Sequence, residues 1–64
     1  MTDYQVLSEI TNVLNSGVTK VYQCGDSTDA GSLATQFCVY RYGAPIQVER
    51  IDDVVIMSKL RSGT

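Results

Sequence analysis

Histidine and tryptophan are absent from this 64-residue sequence, proline occurs once, cysteine twice, and only 19% of the residues are charged. Each scarcity excludes something. Without histidine, two thiolates cannot complete a zinc site within one chain, and neither cysteine has an imidazole to activate it as a nucleophile. Five bases against seven acids leave a net charge of −2. That is too few cations to neutralise a phosphate backbone, so direct nucleic-acid binding is not expected. The acids are spread over Asp3, Glu9, Asp26, Asp29, Glu49, Asp52 and Asp53, too thinly to mimic DNA except locally. No apolar run nears the roughly 20 residues that span a bilayer, and the N-terminus lacks the basic-then-apolar plan of a secretory signal. No membrane association and a cytoplasmic location are therefore the expectations.

The 44% of apolar residues is ordinary for a folded chain. Residues 1–64 are read as a single domain, small enough that only about 60% of the unfolded chain's surface is buried on folding. Thr2 and Gln5 have the form of a capping box and predict a helix from Asp3 to Asn15. Val6, Leu7, Ile10, Val13 and Leu14 form its apolar stripe, and Asn15, Ser16 and Gly17 its stop. Val18 to Cys24, rich in β-branched and aromatic residues, predicts a short strand, with Lys20 discouraging further pairing if the strand lies at an edge. A second helix is predicted to begin near Gly25–Asp29 with Asp26 or Ser27 as its N-cap. Ala30, Leu33, Ala34, Phe37, Cys38 and Arg41 form its stripe, Val39, Tyr40 and Tyr42 lie off it, and Gly43 stops it.

Pro45 sets the entry to a strand from Ile46 to Ile51, Asp52 and Asp53 turn the chain, and Val54 to Leu60 returns as a third strand. Ser62, Gly63 and Thr64 are read as a frayed tail. The expected architecture is α+β, in the order α-β-α-β-β. A three-stranded, mostly antiparallel sheet would carry both helices on one face and leave an open face and open edges. A homodimer or a partner protein would cover them.

The candidate chemistry is sparse. Cys38 is expected to be a buried free thiol, and a Cys24–Cys38 disulfide is not expected in a reducing compartment. Asp52 and Asp53 diverge in a turn, and Glu49 is expected to pair with Lys59 across the hairpin. Gly25-Asp26-Ser27-Thr28 precedes a helix as anion sites do, but no glycine-rich phosphate motif is present and two aspartates would repel a phosphate. Tyrosine and arginine give large contact areas with polar tips at protein interfaces. Tyr22, Tyr40, Arg41 and Tyr42 are therefore the candidate partner-binding anchors, with Glu49, Asp52 and Asp53 as an acidic edge. No catalytic residue, metal site or cofactor is assigned.

The run Gly25-Asp26-Ser27-Thr28-Asp29-Ala30-Gly31, the stop Tyr42-Gly43-Ala44-Pro45 and the strand Ile46-Gln47-Val48-Glu49-Arg50-Ile51 resemble segments of type I anti-CRISPR proteins and of a small phage inhibitor of host RNA polymerase. The resemblance spans Gly25 to Leu60, a little over half of the chain, and the N-terminal helix departs from it. It implies a phage-encoded, stand-alone inhibitor that docks on a larger host defence or transcription complex without catalysis. No functional residue carries over from it. The second reading is a small oligomeric protein that binds or sequesters a ligand in a pocket between subunits, using tyrosine hydroxyls and the Gly25–Thr28 helix start.

Overall fold

The computed structural model describes residues 1–60, so the C-terminal tail at Ser62–Thr64 lies outside the described residues. Helix α1 spans Asp3–Ser16 and opens with the expected capping box. The Gln5 amide donates to Thr2 Oγ1 at 3.3 Å and the Thr2 amide donates to Gln5 Oε1 at 2.9 Å, so two otherwise free N–H groups are satisfied reciprocally. Gly17 closes the helix in the left-handed conformation at φ 70°, its N–H bonded to the Val13 carbonyl. Val6, Ile10 and Val13 are buried. Leu7 is 46% exposed, against expectation. It stands one residue, about 100° of rotation, from Val6, and the covered arc of α1 is narrower than that.

Strand β1 spans Lys20–Gln23, shorter than the Val18–Cys24 run, and helix α2 spans Ser27–Tyr40. Asp26 is the N-cap of α2, its Oδ1 accepting from the Asp29 amide at 2.9 Å. The buried stripe of α2 is Ala30 and Phe37, with Leu33, Ala34 and Tyr40 packed beside them. This corrects two expectations together. Tyr40, three residues beyond Phe37, is on the stripe; Cys38, one residue beyond it, is exposed. Both cysteines are free thiols, Cys24 partly covered. The helix ends at Tyr40 with Arg41 as its cap, before Gly43 turns the chain at φ 76°.

Strands β2 (Ile46–Ile51) and β3 (Val54–Lys59) form an antiparallel hairpin about Asp52 and Asp53, with Asp52 left-handed at φ 51°. The sheet order is β1-β3-β2, antiparallel throughout, so the last strand lies in the middle. The chemistry of β3 suits that place. Val55 and Met57 are buried on one face while Val54 and Ile56 are partly covered on the other, so β3 is apolar on both sides. The edge strands β1 and β2 are parallel to each other and joined by α2. Both helices lie on one face, where Val6, Ile10, Val13, Ala30, Phe37, Ile46, Val55 and Met57 make a single core. The Tyr22 ring seals one side, 5.2 Å from the Phe37 ring and tilted 42° to it. Each fully buried side chain of this size stabilises the fold by about 1.5–3 kcal/mol.

The expected Glu49–Lys59 pair does not form. The two-residue turn sets a register that places Glu49 opposite Ile56 and Lys59 opposite Ile46. The Glu49 carboxylate accepts instead from the Gln47 side chain at 2.6 Å. Among the described residues the ion pair is Lys20 Nζ to Glu9 Oε2 at 3.0 Å, which ties β1 to α1.

Candidate functional site

Several of the seven sequence-selected residues serve the fold. Tyr22 is half-buried, and its hydroxyl donates to Glu9 Oε1 at 3.1 Å. Burial first, and the Glu9 charge second, push its pKa well above the ordinary tyrosine value, so it stays protonated. The same carboxylate takes Lys20 Nζ at 3.0 Å and Asn12 Nδ2 at 3.4 Å. Those donors, Lys20 foremost, hold Glu9 below the usual carboxylate range. Arg41 caps α2, and its Nη1 donates to the Ile46 carbonyl at 2.8 Å, bracing the link from α2 to β2. Its Nε is enclosed without a partner.

Tyr40 packs its ring at the core margin, with its hydroxyl beside Asp3, whose carboxylate raises the phenol's pKa. Tyr42 is 97% exposed on the link between α2 and β2. The three tyrosines and Arg41 are therefore dispersed. Consecutive residues at a helix end point in different directions, so the adjacency of Tyr40, Arg41 and Tyr42 in sequence does not make a shared surface.

The acidic residues fare differently. Glu49 lies on the face of the sheet opposite the helices, and Asp52 and Asp53 form the turn at the end of the same strand. Asp53 Oδ2 accepts from Gln23 Nε2 at 2.7 Å, fastening the turn to β1. Tyr42 stands beyond the other end of β2, a strand length of about 20 Å away.

The register places the residues of the open face in rows across the three strands. One row is Val21, Ile56 and Glu49; the next is Gln23, Val54 and Ile51. Val21 is 64% and Ile51 55% exposed, and no helix covers Val54 or Ile56 from this side. The strands place one charged residue on this face, Glu49. Lys20, Arg50 and Lys59 have the opposite parity. The result is an apolar strip with an acidic rim and no strand base beside it. Composition alone does not single out Val21 and Ile51. Their signal was parity, since both fall out of step with the buried positions of their strands.

A surface cleft between the start of α1 and α2 is lined by residues that include Met1, Cys24, Gly25, Asp29 and Gln36. The Asp29 carboxylate lies against Gly25, where an added Cβ would come within 2.8 Å of Oδ2. The start of α2 is thus already occupied by the chain's own anions, Asp26 and Asp29. Among the described residues no cluster of three histidine, cysteine or carboxylate side chains could hold a metal ion, and no helix is long and apolar enough to cross a membrane.

Compared with protein-family models, curated proteins and solved structures, the chain matches none.

Proposed function

We propose that this chain is a non-enzymatic protein-binding module that acts by covering a site on a larger protein assembly with the open face of its sheet. The observation that carries the reading is the apolar strip Val21, Ile56, Val54 and Ile51, left uncovered on a chain with so little core to spare. Apolar side chains in adjoining rows of one sheet face are a common mark of a protein contact surface. The resemblance of Gly25 to Leu60 to small phage inhibitors supports the finer reading. The module is a viral inhibitor acting in the host cytoplasm, and its partner is a host defence or transcription complex. Glu49, Asp52 and Asp53 supply the acidic rim toward basic groups of that partner, and Tyr42 is a peripheral contact.

Binding from host lysate tests this with the chain as bait at micromolar concentration. The wild type is expected to retain a specific complex that Ile56→Arg loses and Leu7→Ser keeps, both variants retaining the wild-type circular dichroism. Absence of any specific complex, or capture unaffected by Ile56→Arg, overturns the assignment. Tyr40→Ala with Arg41→Ala is expected to act through stability, which a thermal melt reads directly.

A further inference from the structure

Each edge of the sheet leaves two residues with outward N–H and C=O groups, Val48 and the exposed Arg50 on β2 and Val21 and Gln23 on β1, and the edges differ in what guards them. On β2, Ile46 is sealed: its N–H donates to the Ala44 carbonyl at 2.8 Å and its carbonyl accepts from Arg41 Nη1 at 2.8 Å. On β1, the Cys24 amide donates to the Asp53 carbonyl at 2.8 Å, which fixes the alternation of the ladder. Tyr22 and Lys20 therefore bond to β3, while the N–H and C=O groups of Val21 and Gln23 point away from the sheet. The expected guard of this edge is disarmed. Lys20 turns its ammonium to the helix side, where Glu9 neutralises it, and the helices pack mainly over β2 and β3, leaving β1 at the rim.

We infer that β1 pairs antiparallel with β1 of a second copy of this chain about a two-fold axis at Val21, joining two three-stranded sheets into one of six strands. The register is specified by chemistry already present. With Val21 facing Val21 of the second copy, the outward N–H and C=O groups meet as a hydrogen-bonded pair and two 64% exposed valines cover each other. On the helix side, Lys20 then falls opposite Tyr22 of the second copy, whose hydroxyl is bonded to that copy's Glu9. Each ammonium is brought beside a second carboxylate, and two lysines alternate with two glutamates across the axis. A face-to-face stack of two open sheets lacks such complementarity, since the strands place Glu49 and no base on that face. Pairing at β1 also makes the apolar row continuous through both copies and doubles the width of the open face. It does not depend on which protein that face meets.

So short a strand pair buries less than the roughly 1,200 Å² of a stable interface, so the dimer is reversible and appears as concentration rises. Sedimentation equilibrium from micromolar to millimolar chain, with amide hydrogen exchange on the same samples, tests it. The mean mass is expected to climb from 7.0 kDa toward twice that value. Exchange at the Val21 amide should slow by about tenfold when nine-tenths of the chain is dimeric. Val21→Pro removes an outward N–H that the monomer does not use and is expected to stay at the monomer mass. Lys20→Glu should weaken association, and Lys20→Glu with Glu9→Lys should restore it. A mass that stays at 7.0 kDa into the millimolar range overturns the proposal, as does association with Val21 exchange independent of concentration. Loss of association in Ile56→Ser but not in Val21→Pro assigns it to the open face instead, and also overturns it.

Discussion

The two faces of the sheet are built from the same kinds of side chain and have opposite fates. Ile46, Val55 and Met57 face the helices and are fully buried, whereas Val21, Ile51, Val54 and Ile56, no less apolar, face away and keep access to solvent. The difference lies in the layers, since two helices of fourteen residues cover one face and nothing in residues 1–60 covers the other. An apolar residue in a small domain thus marks a face, and the neighbouring layer decides whether that face is core or contact surface. For the inner face, hydrophobicity maintains the fold. For the outer face it does little for the isolated chain, and that is the face proposed above as the contact surface.

That contrast can be broken most forcefully at Phe37. Phe37→Ala removes the largest fully buried side chain, at an expected cost of about 3–5 kcal/mol, enough to unfold most of the population of a domain this small. Loss of far-UV circular dichroism at room temperature is the check, and a variant that melts like the wild type contradicts the placement of the core. Next comes the inner rim. Tyr22→Phe keeps the ring against Phe37 but gives up the bond to Glu9, and is expected to cost about 1–2 kcal/mol in urea unfolding.

A pH series tests the same network from the side of its acid. Because Glu9 has a folded-state pKa below its unfolded one, its contribution is fully present above the unfolded carboxylate range and is lost as pH falls through the lower, folded value. Glu9→Gln is therefore expected to be less stable than the wild type at pH 7, by about 0.5–1 kcal/mol for a partly exposed pair. The gap should narrow under acid, and a gap that widens there assigns the network the wrong sign. The smallest effect belongs to the outer face. Ile56→Ser should change stability by no more than about 1 kcal/mol while abolishing capture of the partner. A loss as large as that of Phe37→Ala would mean that the open face is part of the core.

Much of the fold was legible because its signals are local. The capping box at Thr2 and Gln5, the left-handed stop at Gly17, the Asp26 cap and the hairpin turn at Asp52 and Asp53 each involve residues at most four apart. Strand order was not legible. β1 meets β3 across more than thirty residues, and nothing in either segment names the other as partner. Cys38 and Tyr40 were misassigned through the phase of one stripe, where a shift of a single residue moves a side chain from core to solvent. The Glu49–Lys59 pair failed on register, which counting back from the turn determines and charge alone does not. As for the candidate site, Glu49, Asp52 and Asp53 are singled out by residue type alone. The apolar strip is an adjacency of three strands and exists only once they are assembled.

The central position of β3 bears on how the molecule is made. During synthesis β1, α2 and β2 leave the ribosome before the strand that both edge strands need, and β1 and β2 do not pair with each other. The sheet cannot be assembled piecewise from the N-terminus. A product truncated before Val54 has no hairpin, no ladder and no floor for its helices, and is a target for proteolysis. Val54–Lys59 therefore acts as the latch of the fold, and the cell meets either a finished domain or an unstructured peptide, with no half-built sheet between them.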